Sequence, residues 1–230
     1  MLLRFISLIV SLVFILSACT TGMVMKSNKF SKFLDQFPPD GKLSPYAGEL
    51  NDDLKMHAHP LLVEFWREVG FGSFGDGFIS FFHPDEYNEI LNRWLMNTSP
   101  DPTRIPFART AFGDLIYFRD LSEKAGQMNL AEALDDASDV SFVSIHYRRS
   151  DVISYSMQGF FERDLLEFLN ADDTAMYHLY QKVKSIKRTE NDCLFFKPAL
   201  ALGGLPQEKF VDSGDCKIHN QILYDFAIQQ

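Results

Sequence analysis

Ile105-Pro-Phe-Ala-Arg-Thr-Ala-Phe112, then Gly113-Asp114, then Leu115-Ile-Tyr-Phe118: two apolar runs flank a pair of turn-forming residues. Turn residues between apolar runs mark a chain reversal, so the stretch is predicted to be a β-hairpin. Outward from it, Val143, Ile145 and Tyr147 alternate with Ser144, His146 and Arg148, the period of a half-buried strand. Ile153 and Tyr155 extend that sheet, and Phe78–Phe82 and Cys193–Phe196 read as short buried strands. Helices lie between these runs. Pro60 opens one with Leu61, Leu62, Phe65, Trp66 and Val69 on one face, and Gly70 stops it. Pro84-Asp85-Glu86 opens a second, with Tyr87, Ile90, Leu91, Trp94 and Leu95 on its apolar face. Two more are predicted at Phe160–Leu169 and Asp172–Val183. A terminal helix is expected to carry Ile218, Ile222 and Phe226, with Asp215 as N-cap. Without strict strand–helix alternation, the fold class is α+β: a mixed, largely antiparallel sheet packed with amphipathic helices.

The chain has 230 residues, 46% of them hydrophobic and 22 of them Phe, ample for a packed core. Twenty-two Lys and Arg face 31 Asp and Glu, for a net charge of -9 and a pI near 5.1. That balance argues against direct nucleic-acid binding, which needs clustered cations to displace phosphate counterions. It equally disfavours adhesion to anionic lipid through a basic patch. Three cysteines are too few for a disulfide scaffold.

The N-terminus stands apart. Arg4 precedes the apolar run Phe5–Leu16, the length of a signal-peptide core and short of the ~20 residues of a membrane-spanning helix. Leu16-Ser17-Ala18-Cys19 follows, and it resembles the bacterial lipobox: small residues open the bond to the peptidase, and the Cys19 thiol carries the lipid. Residues 1–18 are therefore expected to be a lipoprotein signal peptide and 19–32 a tether, with several acyl chains anchoring the protein in the envelope, facing the periplasm. In that oxidising compartment Cys193 and Cys216 either pair or remain two buried thiols. The location is cytoplasmic if the lipobox does not operate.

No constellation reads as a convincing catalytic or metal centre. Gly70-Phe-Gly72-Ser-Phe-Gly75 spells G-x-G-x-x-G, but a helix precedes it and a strand follows, the reverse of a dinucleotide site. His57-x-His59 lacks a third ligand nearby, and Cys216-x-x-His219 is half of a zinc site. A Cys216 or Cys193 nucleophile with His219 lacks a visible orienting acid. No cofactor and no catalytic residue are expected. The acidic residues Asp135, Asp136, Asp139, Asp172 and Asp173 read as a solvated face and as the candidate partner surface.

Three blocks then become familiar. The first runs from Phe33-Leu34 and Phe37-Pro-Pro39 through Leu61-Leu62 and Trp66 to Val69-Gly-Phe-Gly-Ser-Phe-Gly-Asp-Gly77, then His83-Pro-Asp-Glu-Tyr87 and Trp94-Leu95. The second is Ala108-Arg-Thr-Ala-Phe-Gly-Asp-Leu115, and the third Asp192-Cys-Leu-Phe-Phe-Lys-Pro-Ala-Leu-Ala-Leu-Gly-Gly204. In order and spacing they resemble the GAD-like domain joined to the C-terminal domain of type VI secretion DNase-immunity proteins. Residues 33–104 would be the GAD-like region and 105–230 the immunity-type region, packed as one globule. The resemblance implies a non-catalytic protein that binds and neutralises a cognate toxin. It casts Trp66, Trp94 and Phe112 as core and Gly72, Gly77, Gly113, Gly203 and Gly204 as turns. It places Asp76, Pro84, Tyr87, Arg109, Asp114 and Pro198 in the structural motif. The alternative is an envelope lipoprotein with hydrolytic or ligand-binding activity.

Overall fold

A computed structural model describes residues 28–128, 136–172 and 175–228. Cys19 and the leader lie outside them, as do Asp135 and Asp173. The framework is an antiparallel meander of six strands in chain order: β1 (Gly72–Phe74), β2 (Ile79–Phe81), β3 (Arg104–Thr110), β4 (Leu115–Asp120), β5 (Ser138–Ser144) and β6 (Arg149–Ser154). The predicted hairpin is its centre. In β3–β4 Ile105 pairs with Phe118 and Arg109 with Leu115, with an irregular register between Pro106 and Ala108. A second antiparallel pair, β7 (Asp192–Phe196) and β8 (Val211–Asp215), packs beside it.

Both faces of the sheet are covered. Ile105, Phe107, Ile116, Phe118, Val140 and Phe142 face the main core. Leu115, Tyr117 and Val143 point the other way, onto Phe82, Tyr87, Leu91 and the helix α4 (Asn88–Trp94). The main core is a phenylalanine cluster closed by α1 (Ser31–Gln36) and α3 (Pro60–Glu68). Phe65 sits against Phe81 at 4.4 Å and stacks on Phe161 at 4.8 Å, while Phe33 meets the same rings edge-on. Such offset and edge-to-face contacts add to the area that each ring buries. Between the strands lie α2 (Asp52–His57) and α5 (Ser122–Gln127). Beyond β6 the chain runs through α6 (Met157–Gly159) and a π turn into α7 (Leu165–Ala171), then α8 (Tyr177–Val183) and the terminal α9 (Cys216–Ile228).

Several expectations are corrected. The alternation at 143–147 straddles a strand end: β5 stops at Ser144, and Ile145–Arg148 form the turn, with Arg148 at φ 54°. Helix α8 starts at Tyr177 rather than Asp172, because Met176 takes the left-handed conformation at its N-cap. Trp94 is half-buried between α4 and α9 rather than in the core, donating Nε1 to Asn220 Oδ1 at 3.1 Å and meeting Tyr224 edge-on. Helix α9 is capped by Asp215, whose carboxylate accepts from the Ile218 N–H, but it buries Cys216, His219, Asn220 and Leu223. Ile218 and Ile222, expected inside, are 62% and 46% exposed.

Trp66 and Phe112 are fully buried. Gly70 ends α3 at φ 101°, where an added Cβ would stand 2.6 Å from the Pro45 backbone nitrogen. Gly72, Gly77 and Gly203 also take positive φ, and Gly204 lies so close to the Pro198 carbonyl that a Cβ would not fit. Asp76, at φ 60°, occupies the β1–β2 turn with Gly77, and Asp40 accepts from both N–H groups. Pro84 is buried at the first position of a 3-10 turn.

Candidate functional site

A cleft of about 770 Å³ opens between the Asp40–Ser44 loop, the turn leading into α4, and the 188–192 segment with the start of α9. Its walls mix charges: Asp40, Lys42, Arg188 and Lys217 stand around a floor that includes Arg109 and Tyr87. Arg109 projects from β3 and is only 5% exposed. It donates Nη1 to the Asp192 carbonyl at 3.1 Å and Nη2 to the Glu190 carbonyl, so the hairpin holds the entry to β7. Lys217 lies over the Tyr87 ring at 5.2 Å.

Beneath the floor sit two free, fully buried thiols, Cys193 from β7 and Cys216 at the first position of α9. The two thiols perturb each other's ionisation, and the Tyr87 hydroxyl acts on Cys216 as well. Asn220, one turn along α9, donates to the Cys216 carbonyl at 3.0 Å and contacts its sulfur at 3.7 Å. Gly113, at the hairpin tip with φ 83°, lets the turn approach: a Cβ there would stand 3.1 Å from Cys216 Sγ and 3.2 Å from Cys193 Sγ.

The electrostatics separate the pair. The hydrogen bond from Cys193, the Arg109 guanidinium and the Tyr87 hydroxyl together lower the Cys216 thiol to about 7, against its burial. The same hydrogen bond, with burial, pushes the Cys193 thiol well above its usual range. Burial also raises the Tyr87 phenol, and the neighbouring sulfur adds to it. Behind the hairpin, burial raises the Asp114 carboxyl to about 7, although it accepts from the Ile145 N–H and the Thr110 hydroxyl. Burial depresses His146 to about 3 and His219 to about 4, so both are neutral at neutral pH. His146 donates Nε2 to the Phe112 carbonyl, and His219 stacks on Phe195 at 4.5 Å. His219 Nε2 has no hydrogen-bond partner among the described residues, and the thiol's own partners are Cys193, Tyr87 and Asn220.

His57 and His59 serve separate partners. His57 binds Asp120 at 2.7 Å, while His59 caps α3 and faces Asp136 at 3.4 Å. The acidic candidates divide too. Asp139, expected on a solvated face, is 2% exposed and locked in a two-pronged pair with Arg119, with Ser141 as a further donor. Asp136 accepts from Ser138, and Asp172 pairs with Arg149 at 3.0 Å. A polar strand flanked by apolar neighbours hid Asp139's burial. A local group of exposed acids stands elsewhere, at Glu49 and in the first turn of α2 at Asp52 and Asp53.

Tyr87, Arg109, Gly113 and Asp114 come from the first two familiar blocks and Cys193 from the third, and the fold brings all three together. Leu194 N–H donates to the Ala111 carbonyl at 2.7 Å, and Phe112 stacks on Phe196 at 5.6 Å. Residues 28–131 match the GAD-like domain family. The GAD-like segment thus runs from the turn before α1 past α5 and contributes β1–β4, whereas Cys193 and Cys216 lie beyond it. The sheet crosses residue 104 without a break, since β2 pairs with β3. The fold is similar to the crystal structure of Atu4351 from Agrobacterium tumefaciens, with TM-score 0.54 and 15% identity over 85% of this chain and 88% of that one. No curated protein matches the chain. Among the described residues no helix is long and apolar enough to cross a membrane.

Proposed function

We propose that this chain is a non-catalytic immunity protein that binds and neutralises a toxin delivered by a type VI secretion system, tethered to the membrane through lipid on Cys19. The observation that carries the reading is the junction of the three blocks. The GAD-like segment supplies Tyr87, Arg109 and the Gly113 turn, and the immunity-type block Asp192–Phe196 docks directly on them. Net charge supports a basic partner: a chain at -9 meets a cationic toxin surface with favourable long-range attraction.

Steering acts through exposed acids. Reversing Glu49, Asp52 and Asp53 to Lys should slow association with the cognate toxin by roughly tenfold at low salt, with a smaller effect on dissociation. Surface plasmon resonance at two salt concentrations checks this, and an unchanged on-rate would remove the electrostatic argument. The cleft of about 770 Å³ favours a second reading, a ligand-binding envelope protein. Toxin binding that survives a Lys42→Glu, Lys217→Glu pair would separate the cleft from the toxin surface.

A further inference from the structure

Cys193 and Cys216 are placed as no pair of inert core thiols needs to be. Both are fully buried and their sulfurs converge under one hairpin tip, where a Cβ added at Gly113 would stand 3.1 Å from Cys216 Sγ and 3.2 Å from Cys193 Sγ. A buried guanidinium, Arg109, lies beside them and is bonded to two backbone carbonyls, with no carboxylate in ion-pair contact among the described residues. Cys216 opens the 13-residue helix α9, whose N-terminal dipole favours negative charge on it. Its chain neighbours Asp215 and Lys217 line the cleft together with Arg109 and Tyr87, so the sulfur lies one layer below that surface.

We propose that Cys193 and Cys216 are a redox-active dithiol that closes to an intramolecular disulfide by exchange with a disulfide donor entering through the cleft, Cys216 attacking and Cys193 resolving. The Cys216 thiolate attacks one donor sulfur; the donor S–S bond breaks, a mixed disulfide forms, and the other donor sulfur leaves as a thiolate. Cys193 loses its proton and attacks Cys216 Sγ, forming the Cys193–Cys216 bond and expelling the second donor sulfur. The two protons given up by the protein thiols end on the two donor thiols. The protein is oxidised by two electrons and the donor disulfide is reduced. Position sets the roles: Cys216 opens α9, whose N-terminus favours its thiolate, whereas Cys193 lies within β7, where burial favours the thiol. The bond would join β7 to the start of α9, fixing the terminal helix against the hairpin. This pairing requires nothing of the toxin-binding reading.

The test uses the full-length chain with Cys19→Ser, extracted in mild detergent, so that these two are its remaining thiols. The probe is glutathione disulfide, followed by acid quench and maleimide labelling in denaturant, with intact mass. The expected result is simultaneous loss of both thiols, a mass lower by two hydrogens and no dimer. Cys193→Ser should arrest as a glutathione adduct on Cys216, whereas the adduct on Cys193 in Cys216→Ser should form at least about tenfold more slowly. Thiols still free in the wild type under prolonged excess oxidant would overturn the proposal. So would equal adduct rates in the two single variants, each checked as folded by circular dichroism.

Discussion

Two tryptophans with similar helical context have different surroundings. Trp66 is fully buried beside the phenylalanine cluster, and its indole N–H has no partner among the described residues. Trp94 bridges two helices and gives its N–H to Asn220. Trp66→Ala should therefore cost about 3–5 kcal/mol, the range for emptying a buried aromatic site. Trp94→Ala should cost roughly 1–2 kcal/mol, the scale of a lost hydrogen bond with partial packing. Urea titrations of the two variants check the order, and equal losses would mean that Trp94 is as much a core residue as Trp66. The sequence placed both on apolar helical faces. It did not show that the second face meets α9, because that contact joins residues 126 positions apart.

At the scale of elements, the β3–β4 hairpin was legible because its turn chemistry and both apolar runs are local. Strand β8 was not: Val211-Asp-Ser-Gly-Asp215 carries no alternation, and only its pairing with β7 makes it a strand. Helix α9 was legible as a helix but not in its orientation, since its buried stripe is Cys216, His219, Asn220 and Leu223 rather than the isoleucines. The thiol site was hidden for the same reason, as Tyr87, Arg109, Cys193 and Cys216 converge only in the tertiary fold.

That packing also sets a pH dependence. His146 and His219 titrate near 3 and 4 in the fold against 6.5 ordinarily, so their contribution is present above pH 6.5 and lost as pH falls. Asp114 is opposite: its carboxyl titrates near 7 against 3.8, so its contribution is present below 3.8 and lost as pH rises toward 7. Between about pH 4 and 6.5 the unfolded chain binds the two histidine protons, and the folded chain retains the Asp114 proton. The net difference is one proton, so stability should fall by about 1 kcal/mol per pH unit on acidification across that window. His219→Phe should flatten the slope, since one histidine and one carboxyl then offset. Denaturant midpoints at several pH values decide it, and a mutant slope as steep as the wild type's would remove His219 from the account.

For the whole molecule, the proposed anchor and the proposed partner belong together, because a tether keeps the binder where a toxin arrives. Cys19→Ser should abolish metabolic labelling with palmitate and leave the precursor uncleaved. An unlabelled wild type would detach the lipid from the account while leaving the fold intact. The six-stranded sheet joins the GAD-like segment to the rest of the chain through β4–β5 pairing. Cutting the chain near residue 104 would therefore leave two incomplete halves, and the whole chain is the unit to test.

The most direct test is protection. Cells challenged with a cognate type VI toxin should survive when the wild-type chain is co-expressed. They should survive equally with Cys216→Ala and His219→Ala together, because neutralisation by binding needs no nucleophile. Death of cells carrying that double variant in folded form, or failure of the wild type to protect, would contradict the immunity reading.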